Sequence, residues 1–133
     1  RRTPQLGISN YYEDSITPIY PARARFVNSI IWGTEEEEVV LDTVEGYPGY
    51  LDVLYDHCLI KSTLNLPGTG ILYNSDPRFE KAIDTDPAER SYRLQDISPC
   101  INAGLNLSSL FSIDLDNLPR DANFDLGCYE HQF

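Results

Sequence analysis

The feature that most constrains this chain is how seldom it runs without a breaker. Nine Pro and eight Gly divide its 133 residues, and Pro48, Pro67, Pro77, Pro87, Pro99 and Pro119 recur through the later part. Proline lacks a backbone N–H and clashes with the preceding helical turn, so few windows can hold three turns of helix. The runs between breakers are of strand length and rich in Val, Ile, Leu, Tyr and Phe. An all-β protein is expected. One window competes, because Glu35–Glu45 sets Val39, Val40, Thr43 and Val44 at the spacing of a short amphipathic helix. β-Branched residues lose χ1 freedom in a helix, and four successive Glu repel one another at helical spacing. The reading preferred here is a charged loop feeding a strand at Val39–Asp42.

A repeat sharpens the class. Phe26-Val-Asn-Ser-Ile-Ile-Trp32 aligns without gaps on Leu54-Tyr-Asp-His-Cys-Leu-Ile60, which sets Asn28 against Asp56, 28 positions apart. Weaker copies flank the pair at Asn10 and Asn74. Strands that return in one direction cannot pair as hairpins, but they can stack in parallel if the chain winds once per repeat. Amides at one place on successive turns could then form a ladder inside the wall, satisfying their polar groups. The ordinary alternative is a β-sandwich whose turns happen to use Asn.

Composition excludes more than it assigns. The formal charge is −11, with 10 Lys plus Arg against 21 Asp plus Glu, so a phosphate backbone would be repelled and nucleic acid is not expected as a partner. Charge is uneven: residues 1–34 carry Arg1, Arg2, Arg23 and Arg25 against Glu13 and Asp14, a net of +2, and the remainder carries −13. No run of 18 apolar residues could span a membrane as a helix. There is no Met and no apolar stretch behind a basic N-terminus, which reads as a piece whose targeting sequence lies elsewhere.

Candidate chemistry is thin. Trp32, Tyr47, Tyr50 and Tyr55 gather around a turn-rich insert, and aromatic faces on a rigid wall suit sugar rings. Core packing explains Trp32 equally well. Asp114, Asp116 and Asn117, with Asp121, Asn123 and Asp125 following, are dense in hard oxygen ligands that could take Ca²⁺. Pro119 and Asp125 stand where an EF-hand loop needs Gly and Glu, and Asx turns that bond their own backbone are the preferred reading. No cofactor is otherwise expected. Cys58 lies in an apolar run, while Cys100 and Cys128 are either two free thiols or, in an oxidising compartment, a bridge contributing roughly 3–4 kcal/mol by loop entropy. His57 and His131 stand 74 positions apart without zinc-ligand spacing, and no hydrolase elbow, phosphate loop or dinucleotide fingerprint is present. Carboxylate pairs such as Asp52 with Asp56 are too common in so acidic a chain to mark a glycosidase.

Phe26-Val-Asn-Ser-Ile-Ile-Trp-Gly33, Tyr55-Asp-His-Cys-Leu-Ile-Lys61 and Asn74-Ser-Asp-Pro-Arg-Phe79 resemble successive turns of secreted bacterial right-handed parallel β-helix proteins. Tyr92–Gln95, Ser98-Pro-Cys-Ile-Asn-Ala-Gly104, Asp114–Arg120 and Asp125-Leu-Gly-Cys-Tyr-Glu130, in that order, resemble the end segment of those proteins, the choice-of-anchor Q type. The resemblance implies a parallel β-helix exported from the cell, commonly as a lipoprotein or surface protein, and no single activity. Cys100 and Cys128 stand where that pattern often has Ala, and Leu118 where it expects Gly-Asn-Pro. The division expected is 1–95 as β-helix turns with loop insertions and 96–133 as a cap, with Ile97, Ile101, Leu105, Leu107, Leu110 and Phe111 lying on the open apolar end. The function expected is structural, presenting or closing a cell-surface solenoid, with possible glycan contact and self-association through the open N-terminal end. The alternative is part of a polysaccharide lyase or glycosidase whose catalytic turns lie on or upstream of this stretch.

Overall fold

The computed structural model describes residues 3–11, 20–43, 50–81, 86 and 90–132. The protein is all-β. Its strands are β1 (Leu6–Ser9), β2 (Ala22–Val27), β3 (Ile30–Ile31), β4 (Val39–Asp42), β5 (Leu51–Asp56), β6 (Leu59–Ile60), β7 (Gly68–Thr69) and β8 (Leu72–Tyr73). The described part of the Glu35–Glu45 window, 35–43, resolves in favour of the strand, with the bounds expected from the sequence.

These strands form three small sheets ordered β1-β4, β2-β5-β7 and β3-β6-β8, and every strand pair is parallel. The chain therefore visits the three sheets in the same order twice. On its third pass, among the described residues, it enters only the second and third.

Alternation decides which side chains go inside. Leu6 and Ile8 of β1, Ala24 and Phe26 of β2, and Val53 and Tyr55 of β5 pack into one cluster with Ile31, Val39, Cys58, Ile60 and Leu66. The opposite face of β2 carries Arg23 and Arg25, and that of β5 carries Asp52 and Asp56. Arg23 pairs with Asp52 at 3.6 Å and Arg25 with Asp56 at 2.5 Å, so the basic opening of the sequence is matched on the neighbouring strand. Thr69 adds a hydroxyl donor to Asp56 at 2.8 Å. Together, with Thr69 foremost and Arg25 next, they hold the Asp56 carboxyl below its usual range.

The repeat is real but slips by one residue from its sequence alignment. Val27 is the partner of Asp56, and Asp56 of Thr69, so the corner that follows aligns Asn28 with His57 and Gly70. All three have positive φ, 50°, 50° and 64°. Asn and His are among the side chains that tolerate this left-handed region, and Gly does so without strain. The slip arose because Cys58, small and apolar, could fill the first place of the triplet Ile30-Ile31-Trp32. The structure instead pairs Ile30 with Leu59 and Ile31 with Ile60. The expected amide ladder is accordingly absent: Asp56 faces outward, and Asn28 reaches into the tail. Gly68 is the other glycine the fold requires. Its φ is 150°, and a Cβ there would sit 1.6 Å from the Tyr55 carbonyl oxygen.

Residues 90–132 form turns with no strand longer than a bridge. Their placement corrects part of the expected cap, although Ile101, one of its six named side chains, does pack against the cluster that the tail forms with Leu59. Ile97 and Leu110 are 72% and 77% exposed, Phe111 is also exposed, and Ile101, Leu105 and Leu107 are only half-buried. The tail instead buries Leu94, Cys100 and Leu126 against Leu59, with Ile30 and Leu72 packed alongside. Ile30, Leu59 and Leu72 are register partners, one from each strand of the third sheet. Their neighbours Ile31 and Ile60 face the first cluster, so the tail lies across the other face of this sheet.

Candidate functional site

The four aromatic residues singled out from the sequence do not form one face. Tyr55 is 0% exposed, stacked on Phe26 with centroids 5.3 Å apart and planes 13° from parallel. Burial pushes its hydroxyl up to about 12. It is a core residue, which corrects its assignment to ligand contact: parity along β5 turns it inward with Val53. Tyr47 lies outside the described residues. Tyr50, just ahead of β5, is exposed. Trp32 is half-buried, with the Lys61 ammonium 5.3 Å from its ring centroid. That ammonium also donates to the Gly33 carbonyl at 3.1 Å.

Trp32 has other company that the sequence reading missed. A concavity of about 430 Å³ is lined by Leu6, Phe26 and Ile31 together with Trp32, Phe79 and Tyr92. Phe79 and Tyr92 meet edge to face at 88°, and Phe79 bridges to Leu94 in antiparallel fashion. They reach Trp32 only because the tail folds back across the third sheet, an association no local spacing encodes. Leu6, Phe26 and Ile31 come one each from β1, β2 and β3, the first strands of the three sheets. Gln5 and Arg90 supply polar atoms at the same concavity.

The polar organisation of the tail is the second constellation. Asp114, Asp125 and Glu130 are buried, and all three serve the backbone. Asp114 Oδ1 accepts from the amides of Asp116 and Leu118 at 2.8 and 2.9 Å, and its Oδ2 accepts from that of Glu130 at 3.1 Å. Asp125 accepts from the amides of Asn102 and His131 at 2.7 and 2.6 Å. Glu130 accepts from Arg120 at 2.9 Å, in an ion pair whose side chains are only 5% and 4% exposed. Arg120 also donates to the Gly127 carbonyl at 2.9 Å. Burial, with the charge of Asp125 adding to it, pushes the Glu130 carboxyl up against the pull of its hydrogen bonds.

The residues singled out for calcium sit within this network. Asp114 directs its oxygens at amides in an Asx turn, Asp116 pairs with Arg93, and Asn117 holds a left-handed φ of 64° within the turn. Among the described residues no group of three or more His, Cys, Asp or Glu is placed to hold a metal.

Cys58, Cys100 and Cys128 are free thiols. Burial raises the Cys58 thiol and pushes Cys100 up to about 11, and partial desolvation also raises Cys128 although that residue is exposed. Asp52 and Asp56 each face an arginine rather than one another. His131 lies 3.0 Å from Asp96 beside a cleft of about 620 Å³ that also takes in Arg93 and Tyr129, and the Arg93 guanidinium covers the Tyr129 ring at 4.5 Å. Among the described residues no helix is long and apolar enough to cross a membrane. No family model, curated protein or solved structure matches the chain.

Proposed function

We propose that this chain is the closing part of an exported right-handed parallel β-helix, and that its role is structural: it ends the ladder and locks it with its own tail. The observation that carries the reading is the repeated order of the three sheets, with parallel register and a left-handed corner residue at the same place on each pass. In support, Asn28 holds the tail at that corner with its side chain, accepting from the Leu105 amide at 2.7 Å and donating to the Leu105 carbonyl at 2.8 Å. Its own carbonyl accepts from Gly127 at 2.8 Å. Deleting residues 96–133 is expected to uncover Ile30, Leu59 and Leu72 and turn the chain to aggregates. A truncated chain that stays folded and monomeric would overturn the assigned role.

Sugar contact, on this reading, falls to Trp32, Tyr47 and Tyr50, with buried Tyr55 withdrawn from the set. Glycan arrays comparing wild type with Trp32→Ala/Tyr50→Ala test it. Loss of a wild-type signal in the variant is the expected result, and blank profiles for both would leave the scaffold role alone.

A further inference from the structure

The cleft of about 620 Å³ beside His131 has no part in the structural role proposed above. Residue 80 and two stretches of the tail, 93–97 and 129–132, make its walls. None of them belongs to β1, β2 or β3, whose outer edge an earlier turn of the ladder would take.

Most charges in the cleft are answered within the protein. Arg93 pairs with Asp116 and covers the Tyr129 ring, so the place a ligand cation would take on that ring is filled. Glu130 is buried with Arg120, and Asp96 faces the His131 imidazole. Glu80 accepts from the Ser91 hydroxyl and, among the described residues, meets no cation, which sets the cleft against anions.

Hydrogen-bonding capacity is what remains, and it is weighted to acceptors. The Asp96 side chain is 91% exposed and engages one oxygen with His131; among the described residues its second oxygen accepts nothing. Gln95 donates its side-chain N–H to the Phe79 carbonyl at 2.7 Å, which leaves its side-chain oxygen for a ligand. Glu80 likewise keeps one oxygen. A ligand that fits must bring several donors without bringing charge. A peptide offers one backbone donor per residue, whereas a sugar ring carries hydroxyls on neighbouring carbons. Gln132 and the Tyr129 hydroxyl both donate and accept, which matches the double character of a hydroxyl. Exposed Ile97 adds an apolar wall that suits the C–H face of such a ring.

We propose that this cleft binds an uncharged saccharide, with Asp96 as the main acceptor for neighbouring hydroxyls and Ile97 against the ring. The site is separate from the aromatic positions named above, and it stands whether or not Trp32, Tyr47 and Tyr50 touch sugar.

The test titrates the full, isotope-labelled chain with neutral oligosaccharides of glucose, xylose, mannose and N-acetylglucosamine, and follows amide resonances. Chitosan and galacturonate oligomers serve as cationic and anionic controls. With at least one neutral probe at about 10 mM, amides of 93–97 and 129–132 should shift. Asp96→Ala should weaken that binding about tenfold, and Gln132→Ala about threefold, with the melting temperature retained because both side chains are exposed. Asp96→Asn keeps one acceptor oxygen and the shape of the side chain, so its affinity should fall between wild type and Asp96→Ala. Trp32→Ala/Tyr50→Ala should leave the cleft titration unchanged. A blank neutral panel, tighter binding of either charged control, or equal affinity in all three Asp96 forms would overturn the proposal. So would sugar binding that vanishes in Trp32→Ala/Tyr50→Ala while the cleft amides never move, which would assign the contact to the aromatic positions.

Discussion

The stacked strands and the tail solve one problem in two ways. Both must satisfy backbone N–H and C=O groups that packing removes from water. Among the strands the backbone does this itself, neighbour to neighbour, and side chains are left free to sort into apolar and charged faces. In the tail no ladder exists, so Asp114, Asp125, Glu130, Asn28 and Arg120 take the place of a neighbouring strand. The strands should therefore tolerate loss of single polar side chains, whereas the tail should not. Any change that crowds the backbone should reverse that order.

The largest expected effect is in the tail. Arg120→Leu leaves Glu130 buried without its cation, and breaking one side of such a pair costs about 3–5 kcal/mol. Amide exchange should rise through 112–131 while β2–β5 stays protected; equal loosening of both regions would erase the distinction. Gly68→Ala is the converse, because a Cβ against the Tyr55 carbonyl must displace the third pass. A loss of about 3 kcal/mol is expected, read by chemical denaturation. Asn28→Gly keeps the left-handed corner and deletes the grip on Leu105, at about 1–3 kcal/mol for two hydrogen bonds. Its exchange signature should appear at Leu105 and Gly127 rather than in the strands.

Native-state alkylation sharpens the comparison at smaller scale. Exposed Cys128 should react first and buried Cys100 and Cys58 only on unfolding, with three modified thiols in denaturant. A mass showing one would restore the Cys100–Cys128 bridge. The smallest effect is a pH term from Asp56. Its carboxyl is held below the unfolded value, so its stabilisation is present above that value and disappears as pH falls through the folded one. Asp56→Asn should flatten the acid side of the melting curve slightly. An unchanged curve would remove the Thr69 and Arg25 contacts from the stability account.

How much was legible in the sequence follows the same division. The all-β class, the strand Val39–Asp42 and the recurrence in one direction could be read, because breakers and alternation are local signals. The register could not, since Cys58 and Leu59 are both acceptable where an apolar residue is needed, and one place of slip exchanges inside for outside. Tyr55 is a separate case: its nearness to the turn-rich insert suggests ligand contact, whereas parity with Val53 along β5 turns it inward. The tail's contacts were invisible for another reason: Asn28 meets Leu105 across 77 positions, and nothing periodic announces it. Asp125 could be seen as a turn former, but not as the acceptor for the Asn102 and His131 amides.

The spacing between register partners has a consequence for how such a chain can change. Leu59 lies 29 positions after Ile30, yet Leu72 lies only 13 after Leu59. Leu72 thus reaches its partner with fewer than half the residues that separate Leu59 from Ile30, and part of the surplus in the longer interval sits at 34–36, between β3 and β4. Doubling a flexible excursion costs roughly 0.6 kcal/mol in closure entropy. Foreign sequence grafted beside exposed Glu36 should be carried at little thermodynamic cost so long as buried Glu38, which accepts from the Gln5 and Glu35 amides, is kept, which makes the longer interval the natural place for diversification and the short one the part that must be preserved.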